Sequence, residues 1–530
     1  MPTKKQNLRR YIIMSKEGFL SDQLAAASFK PSSNTVALAA RAEAVIATPQ
    51  MRVLEALRDN GPKLVEMPPE GELSLRLSTP GLKIVPEVFY HRQWQRFKIH
   101  HPPAPRSAVK KKKGTAKKAG SRAMTMASTA ATTASFDVSV TDASTGNPVK
   151  DAQIVAFTDF ASRAGASAKT TANGRATLSG LSSSRALDRV YVYAPAGWWG
   201  YFATDTTGAR VSQIKLKPID VRDSSLLLTQ LYGSLPAMAG TGVTVAIVDS
   251  GIDGTHPDLP NVTGGLNCVG DEVRNNPAAA QNWRPALSEG EHGTHVAGIV
   301  GGRGTTGGFR GVAPGVTMRS YRVFPDAGGG ASNFDIAKAI DAAITDKCDI
   351  INMSLGGRAQ DDLVDATIDR ALNAGVVVIV AAGNDYRQPV DFPAAFPDSV
   401  AVSAMGRVGT FPKDAVGTSN IATPKGNPST KDFVSDFSNF GPEIDATGPG
   451  VEIVSTLPGT GHGSMSGTSM ACPAVSGFAA YLLGADPNLK QKIGADRSRA
   501  LKDALYAACK PEGFGRDYEG FGLPLPSATS

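Results

Sequence analysis

Along this chain the spacing of apolar positions changes character from one region to the next. Residues 8–14, Leu-Arg-Arg-Tyr-Ile-Ile-Met, read as a strand, residues 51–59 as an amphipathic helix, and the runs 63–67, 71–77 and 82–90 as further strands. This predicts a small α+β unit over residues 1–101. Residues 102–135 carry almost no large apolar side chains, so they cannot bury enough surface to fold and are expected to be a basic linker rich in Ser, Thr and Ala. From 136 to 217 the period becomes that of short strands, at 136–141, 153–157, 175–178, 189–193 and 212–216, separated by turn signals such as Ser144-Thr-Gly-Asn-Pro148 and Ala172-Asn-Gly174. That spacing predicts a small β-sandwich. Beyond it, apolar runs at 243–248, 318–323, 349–353, 376–381 and 400–404 alternate with helical patterns at 333–345 and 363–374. Strands and helices in turn imply an α/β unit over 218–530, a parallel sheet covered by helices on both faces, with loops that could carry chemistry at the carboxyl ends of its strands.

Composition refines this picture at a few points. A chain of 530 residues exceeds what one core usually organises. Its net charge of +7 is uneven: residues 1–122 hold 23 Lys and Arg against nine Asp and Glu, or +14, leaving −7 for the rest. The Lys110-Lys-Lys-Lys113 and Lys117-Lys118 runs lack the interleaved aromatic residues that a nucleic-acid surface uses, so a solvated tether is expected and no nucleic-acid partner. No uninterrupted apolar stretch reaches the roughly 18 residues of a membrane span. The first 14 residues are basic without a sustained apolar segment or a small-residue cleavage site, so a cytoplasmic protein, or one exported by a non-standard route, is expected. Cys268, Cys348, Cys472 and Cys509 are too widely spaced for a close-knit metal site and are expected as free thiols, with Cys472 a small core residue.

The candidate chemistry lies in the last unit. In Gly467-Thr-Ser-Met470 a glycine turn delivers Ser469 to the start of a long apolar helix, where unpaired N–H groups and the positive end of the helix dipole suit a nucleophile and an oxyanion. Upstream, the apolar strand of Val245-Ala-Ile-Val-Asp-Ser-Gly-Ile-Asp253 runs into Asp249, and Glu291-His-Gly-Thr-His-Val-Ala-Gly298 puts His292 at the start of a small-residue helix. A serine hydroxyl is a poor nucleophile at neutral pH; it needs a base within hydrogen-bond reach and a third group to hold that base in the right tautomer. His292 as base and Asp249 as orienter meet that need, with His295 as a competing base.

Asp249, His292 and Ser469 in this order, within Val248-Asp-Ser-Gly251, His292-Gly-Thr-His-Val-Ala-Gly298 and Gly467-Thr-Ser-Met470, resemble the subtilisin-like serine proteases, the subtilase family. The resemblance runs over residues 221–527. It implies an endopeptidase acting on polypeptides through an acyl-enzyme on Ser469, with no cofactor for catalysis and no catalytic metal. It also implies an oxyanion hole of Asn384, in Ala381-Ala-Gly-Asn384, with the Ser469 backbone, and substrate-binding walls from Ser354, Leu355, Gly356 and Gly357 and from Ala381, Ala382 and Gly383. By the same resemblance Asp391 falls near the base of the pocket for the side chain before the cut, where a carboxylate would favour Lys or Arg. Family members often hold a structural calcium against a carboxylate such as Asp258 or Asp253, but the loop Gly301-Gly-Arg-Gly-Thr-Thr-Gly-Gly308 offers no Asn or Asp to complete an oxygen cage. Residues 1–101, ending near Val85-Pro-Glu-Val-Phe-Tyr90, resemble the family's inhibitory prodomains, which would make this region a partner of its own protease and the chain autoprocessed. The sandwich, through Thr141-Asp-Ala-Ser-Thr-Gly-Asn-Pro-Val149, resembles carboxypeptidase-regulatory-like modules. A catalytically silent, peptide-binding scaffold of the same fold is the alternative function.

Overall fold

Strands that read as unbroken apolar runs have to be covered on both faces, and the computed structural model of the chain builds its largest sheet from them. It describes residues 7–15, 51–59, 61–79, 81–101, 134–285, 290–305 and 307–526. The lysine runs of the expected linker lie outside these residues. The chain divides into two compact units, one of residues 1–95, 221–410 and 420–530, the other of residues 96–220 and 411–419.

In the first unit, residues 9–92 supply β1 (Arg9–Ser15), β2 (Arg52–Ala56), β3 (Lys63–Met67), the helix Pro69–Ser78, β4 (Leu82–Pro86) and β5 (Phe89–Arg92). The first four strands form a sheet in the order β2-β3-β1-β4. Two expectations are corrected here. Residues 52–56 are a strand and not part of a helix, because Arg52 and Val53 pair with Glu66 and Val65 of β3, and tertiary pairing overrides the helix preference of Leu-Glu-Ala-Leu. Residues 71–77 belong to a helix and not a strand: Pro69 opens it, Glu70 and Glu72 favour its positive end, and of its alternating leucines only Leu75 is buried while Leu73 and Leu77 are exposed.

The large sheet of this unit has nine strands and is mixed. Those used below are β13 (Thr244–Asp249), β14 (Val262–Asn267), β15 (Thr317–Arg322), β17 (Ile350–Met353), β19 (Val377–Ala381) and β20 (Val400–Arg407), parallel in the order β14-β15-β13-β17-β19-β20. Alternation along β17 sends Ile351 and Met353 into a core shared with Ile336 and Ile340 of the helix Asn333–Thr345 and Val364 and Ile368 of the helix Asp362–Asn373. Asn352, between them, faces the other way and accepts from Cys472 and Ser476 of the helix Thr468–Ala485. This last helix is apolar and long enough to cross a membrane by composition, with 78% of it buried inside the body, which is how a core helix is placed. Two short strands, β16 (Ala331–Ser332) and β18 (Leu355–Gly356), flank β5 and pair antiparallel with it, so β5 is the middle strand of three.

Among the described residues, the second unit holds seven strands in two sheets. One has the order β11-β10-β7-β8 (Tyr201–Thr207, Ala186–Tyr193, Gln153–Asp159, Ala164–Lys169), the other β12-β6-β9 (Gln213–Leu216, Ser135–Asp142, Arg175–Ser179). Inward positions of both, among them Val138, Val140, Ile154, Ala156, Leu178 and Val190, make one apolar core. Of the paired tryptophans, Trp199 is buried and Trp198 donates its indole N–H to Asp142 at 2.7 Å.

Candidate active site

The parallel strands bring the candidate residues to their carboxyl ends. Asp249 is the last residue of β13, Asn384 follows β19 by three residues, and His292 and Ser469 lie in the first turns of the helices Glu291–Gly301 and Thr468–Ala485. His292 Nδ1 is 2.8 and 2.9 Å from the two carboxylate oxygens of Asp249, and both side chains are fully buried. Asp249 also accepts from the Ser250 N–H at 2.6 Å, which fixes the carboxylate in place. His292 Nε2 has no hydrogen-bond partner. The Ser469 hydroxyl donates to the carbonyl of Ser354 at 2.9 Å.

Pro473 explains how Ser354 is held. Lacking an N–H, it leaves the carbonyl of Ser469, four residues back, without its helical partner, and the Ser354 hydroxyl donates to that oxygen at 3.0 Å. Asn384 is clamped through its side-chain oxygen, which accepts from the Thr468 N–H at 2.9 Å and hydroxyl at 3.0 Å; its Nδ2 is left unpaired. His295 is a packed residue, its Nε2 2.9 Å from the Ile453 carbonyl and 3.1 Å from that of Gly463, and burial pushes its pKa down to about 3. Burial likewise pushes the Cys472 thiol up, so it stays a neutral core group, and all four cysteines are free.

The walls expected to bind substrate are tied together by the backbone. Gly357 and Phe392 exchange N–H to carbonyl bonds at 2.9 Å each, and the Asp391 N–H donates to the Ala382 carbonyl at 2.9 Å. The segments around Gly357 and Ala382 are thus joined through Phe392 and Asp391, and Asp391 is 2% exposed. Sequence reasoning missed Thr468, which orients Asn384, and Arg358, whose Nε lies 3.4 Å from Asp391. Their signals were only their places next to Ser469 and Gly357.

It also missed what fills the cleft. Arg92 and His91 of β5 register against Leu355 and Gly356, the Gln93 N–H donates to the Ser354 carbonyl at 3.3 Å, and the Gln95 N–H donates to the Ser466 carbonyl at 2.8 Å. Between these, the Ser469 backbone N–H donates to the Gln93 carbonyl oxygen at 2.9 Å. The Trp94 indole stands edge-on to the His292 ring at 5.3 Å. Gly467, at φ +153°, permits this approach: a Cβ there would lie 2.8 Å from Trp94 Cα and closer still to the Gln93 oxygen. Tyr90, 1% exposed, is sunk in the core beside Phe324 and Leu355.

A calcium ion bridging Asp258 does not fit. One oxygen of this buried carboxylate accepts from the His462 ring at 2.8 Å and the other from the Thr305 hydroxyl at 2.9 Å, and an imidazole N–H offers no oxygen ligand. Asp253 is engaged by Thr255 and by the Gly459 N–H. Among the described residues no cluster of three or more His, Cys, Asp or Glu side chains could hold a metal.

A mixed α/β sheet whose strand ends and helix starts assemble an aspartate–histidine pair, a serine and a peptide-binding edge defines the class of subtilisin-like folds. Comparison agrees. The family model for the subtilase family, Peptidase S8, matches residues 240–517, and the chain belongs to that family. It is 37% identical over 262 residues to Subtilisin NAT of Bacillus subtilis subsp. natto, an alignment covering 49% of this chain and 60% of that protein. It is 36% identical over 262 residues to Subtilisin of Bacillus pumilus, covering 49% of this chain and 82% of that one. Among solved structures Sphericase aligns with 28% identity and a TM-score of 0.46 over 56% of this chain and 96% of its own. The chain thus spans 60% of the length of Subtilisin NAT.

Proposed function

We propose that this chain is a serine endopeptidase that cleaves polypeptides through an acyl-enzyme on Ser469. The observation that carries this reading is the Gln93 carbonyl held at 2.9 Å by the Ser469 N–H beside the buried His292–Asp249 pair, with an extended peptide on either side of it. In the reactive arrangement the Ser469 hydroxyl exchanges its bond to the Ser354 carbonyl for one to His292 Nε2. Its oxygen attacks the substrate carbonyl carbon while Nε2 takes the proton, Asp249 holds Nδ1–H and steadies the imidazolium, and the oxyanion is met by the Ser469 N–H and Asn384 Nδ2. Nε2 then returns the proton to the leaving amine, and water repeats the sequence on the acyl-enzyme. No step calls for a cofactor.

On this reading residues 1–101 contain an inhibitory prodomain that blocks its own protease through residues 89–95, and the chain matures by cutting itself. The position of β5 between β16 and β18 supports this, with the segment just after Tyr90 as the part that enters. Residues 136–217 serve as an attached sandwich module, a spacer or binding platform, supported by the single core its two sheets share. Hydrolysis of casein tests the assignment: the wild type, once matured, should digest it, and Ser469→Ala should not. A silent scaffold would bind peptides and digest nothing in either form.

A further inference from the structure

The pocket under Gln93 is furnished in a way that the family membership does not specify. Gln93 is 8% exposed, and its Nε2 lies 3.4 Å from Asp391 Oδ2 and 3.5 Å from the His91 carbonyl. The walls leave no room to spare: a Cβ on Gly356 would stand 2.9 Å from that Nε2, and one on Gly383 would stand 2.6 Å from Asp391 Oδ2. On its other side the carboxyl group meets the Arg358 guanidinium, Nε to Oδ1, at 3.4 Å.

An unpartnered carboxylate at the base of such a pocket would draw Lys or Arg, as the sequence suggests. Here the cationic partner is already supplied by the protein. A substrate Lys or Arg would bring a second positive charge towards the half-exposed Arg358, beside a carboxylate that is itself buried. An aliphatic or aromatic side chain would fill the space but leave Asp391 Oδ2 desolvated with no donor. A glutamine amide is neutral, long enough to reach, and carries both a donor and an acceptor. Burial, reinforced by Asp385 and opposed by Arg358, pushes the Asp391 pKa up to about 7. Near neutrality the group is therefore partly protonated, and an amide can pair with either form.

We infer that the primary specificity pocket of this protein is built for glutamine, with Asp391 and Arg358 as its specificity residues, and that Gln93–Trp94 is the peptide bond presented to Ser469. The inference rests on the peptidase reading above and adds the substrate class. Self-cleavage alone is a weak probe, since a tethered segment reaches the cleft at high effective concentration whatever its side chain.

The deciding experiment uses the product matured from the full-length chain and peptides of the form Tyr-His-Arg-Xaa followed by a fluorogenic amine. Labelling by a fluorophosphonate, lost in Ser469→Ala, is run alongside. The expected result is a kcat/KM for Xaa = Gln about tenfold or more above Lys, Arg, Leu and Phe, the scale of one satisfied polar contact. Asp391→Asn should keep this preference, its amide still offering an acceptor and a donor, and Asp391→Ala should flatten it. A labelled, active enzyme that prefers Lys and Arg, or Leu and Phe, would overturn the glutamine pocket and leave the peptidase reading intact. A glutamine preference unchanged in Asp391→Ala would overturn the role given to Asp391. Absence of labelling would remove the peptidase reading and the inference with it.

Discussion

Asn384 shows how a single side chain is prepared for one task. Thr468 donates twice to its oxygen, which leaves the N–H₂ group as the unpaired one and, on the proposed function, the one that meets the oxyanion. Replacement by Ala should therefore lower kcat by about 10²–10³, the size found for one such donor in a subtilisin, and leave KM nearly unchanged. A matching rise in KM at constant kcat would mean that Asn384 binds the ground state instead. Asn384, with Asp249, His292 and Ser469, was legible because each sits in a short motif with its own mechanical logic: a strand end, a helix start, a glycine turn. Arg358 and Thr468 were not, since nothing in their local sequence shows which carboxylate or amide the fold will bring to them.

At the level of elements, the strands of the large sheet were readable because fully buried runs of Val, Ile and Ala have few alternatives. The N-terminal sheet was less so. Its second strand is spelled in helix-forming residues and is set by pairing with β3, while its helix is spelled in alternating leucines and is set by Pro69 and the acidic first turn. The same elements carry a pH dependence. Asp335, in the first turn of the helix Asn333–Thr345, accepts from the Gly270 N–H at 3.0 Å, with Glu55, Lys338 and Glu87 around it. Burial, with the nearby Glu55 and Glu87 adding, raises its pKa from 3.8 to about 8 against the opposing Gly270 bond and Lys338. The folded state thus holds a proton that the unfolded chain releases near pH 4. This contribution to stability is complete at acid pH and is lost as the pH rises towards 8. In a Ser469→Ala background, which keeps the chain whole, Asp335→Asn should match its parent near pH 4 and exceed it at pH 9 by roughly 1–3 kcal/mol. Thermal denaturation at both pH values measures this, and an equal Tm difference at the two would show that Asp335 is not protonated in the fold.

For the whole molecule, the claim is that one chain contains both a protease and the segment that occupies it. Ion pairs secure the N-terminal part to the body, Arg10 to Asp271 at 2.8 Å, Lys83 to Asp362 at 2.7 Å, and Glu55 to both Arg274 at 2.8 Å and Lys338 at 2.5 Å. The charge asymmetry pointed towards such pairing, since basic residues 1–122 face an acidic remainder. What it could not convey was the register, because β5 is only four residues long and its partners β16 and β18 are two residues each. The most direct test is the intact mass of the purified protein, wild type against Ser469→Ala, after incubation. The wild type is expected to convert to a species beginning at Trp94, with residues 94–530 in one chain, while Ser469→Ala stays at full length. The same shorter species in Ser469→Ala, or a wild type that stays whole, would contradict the account.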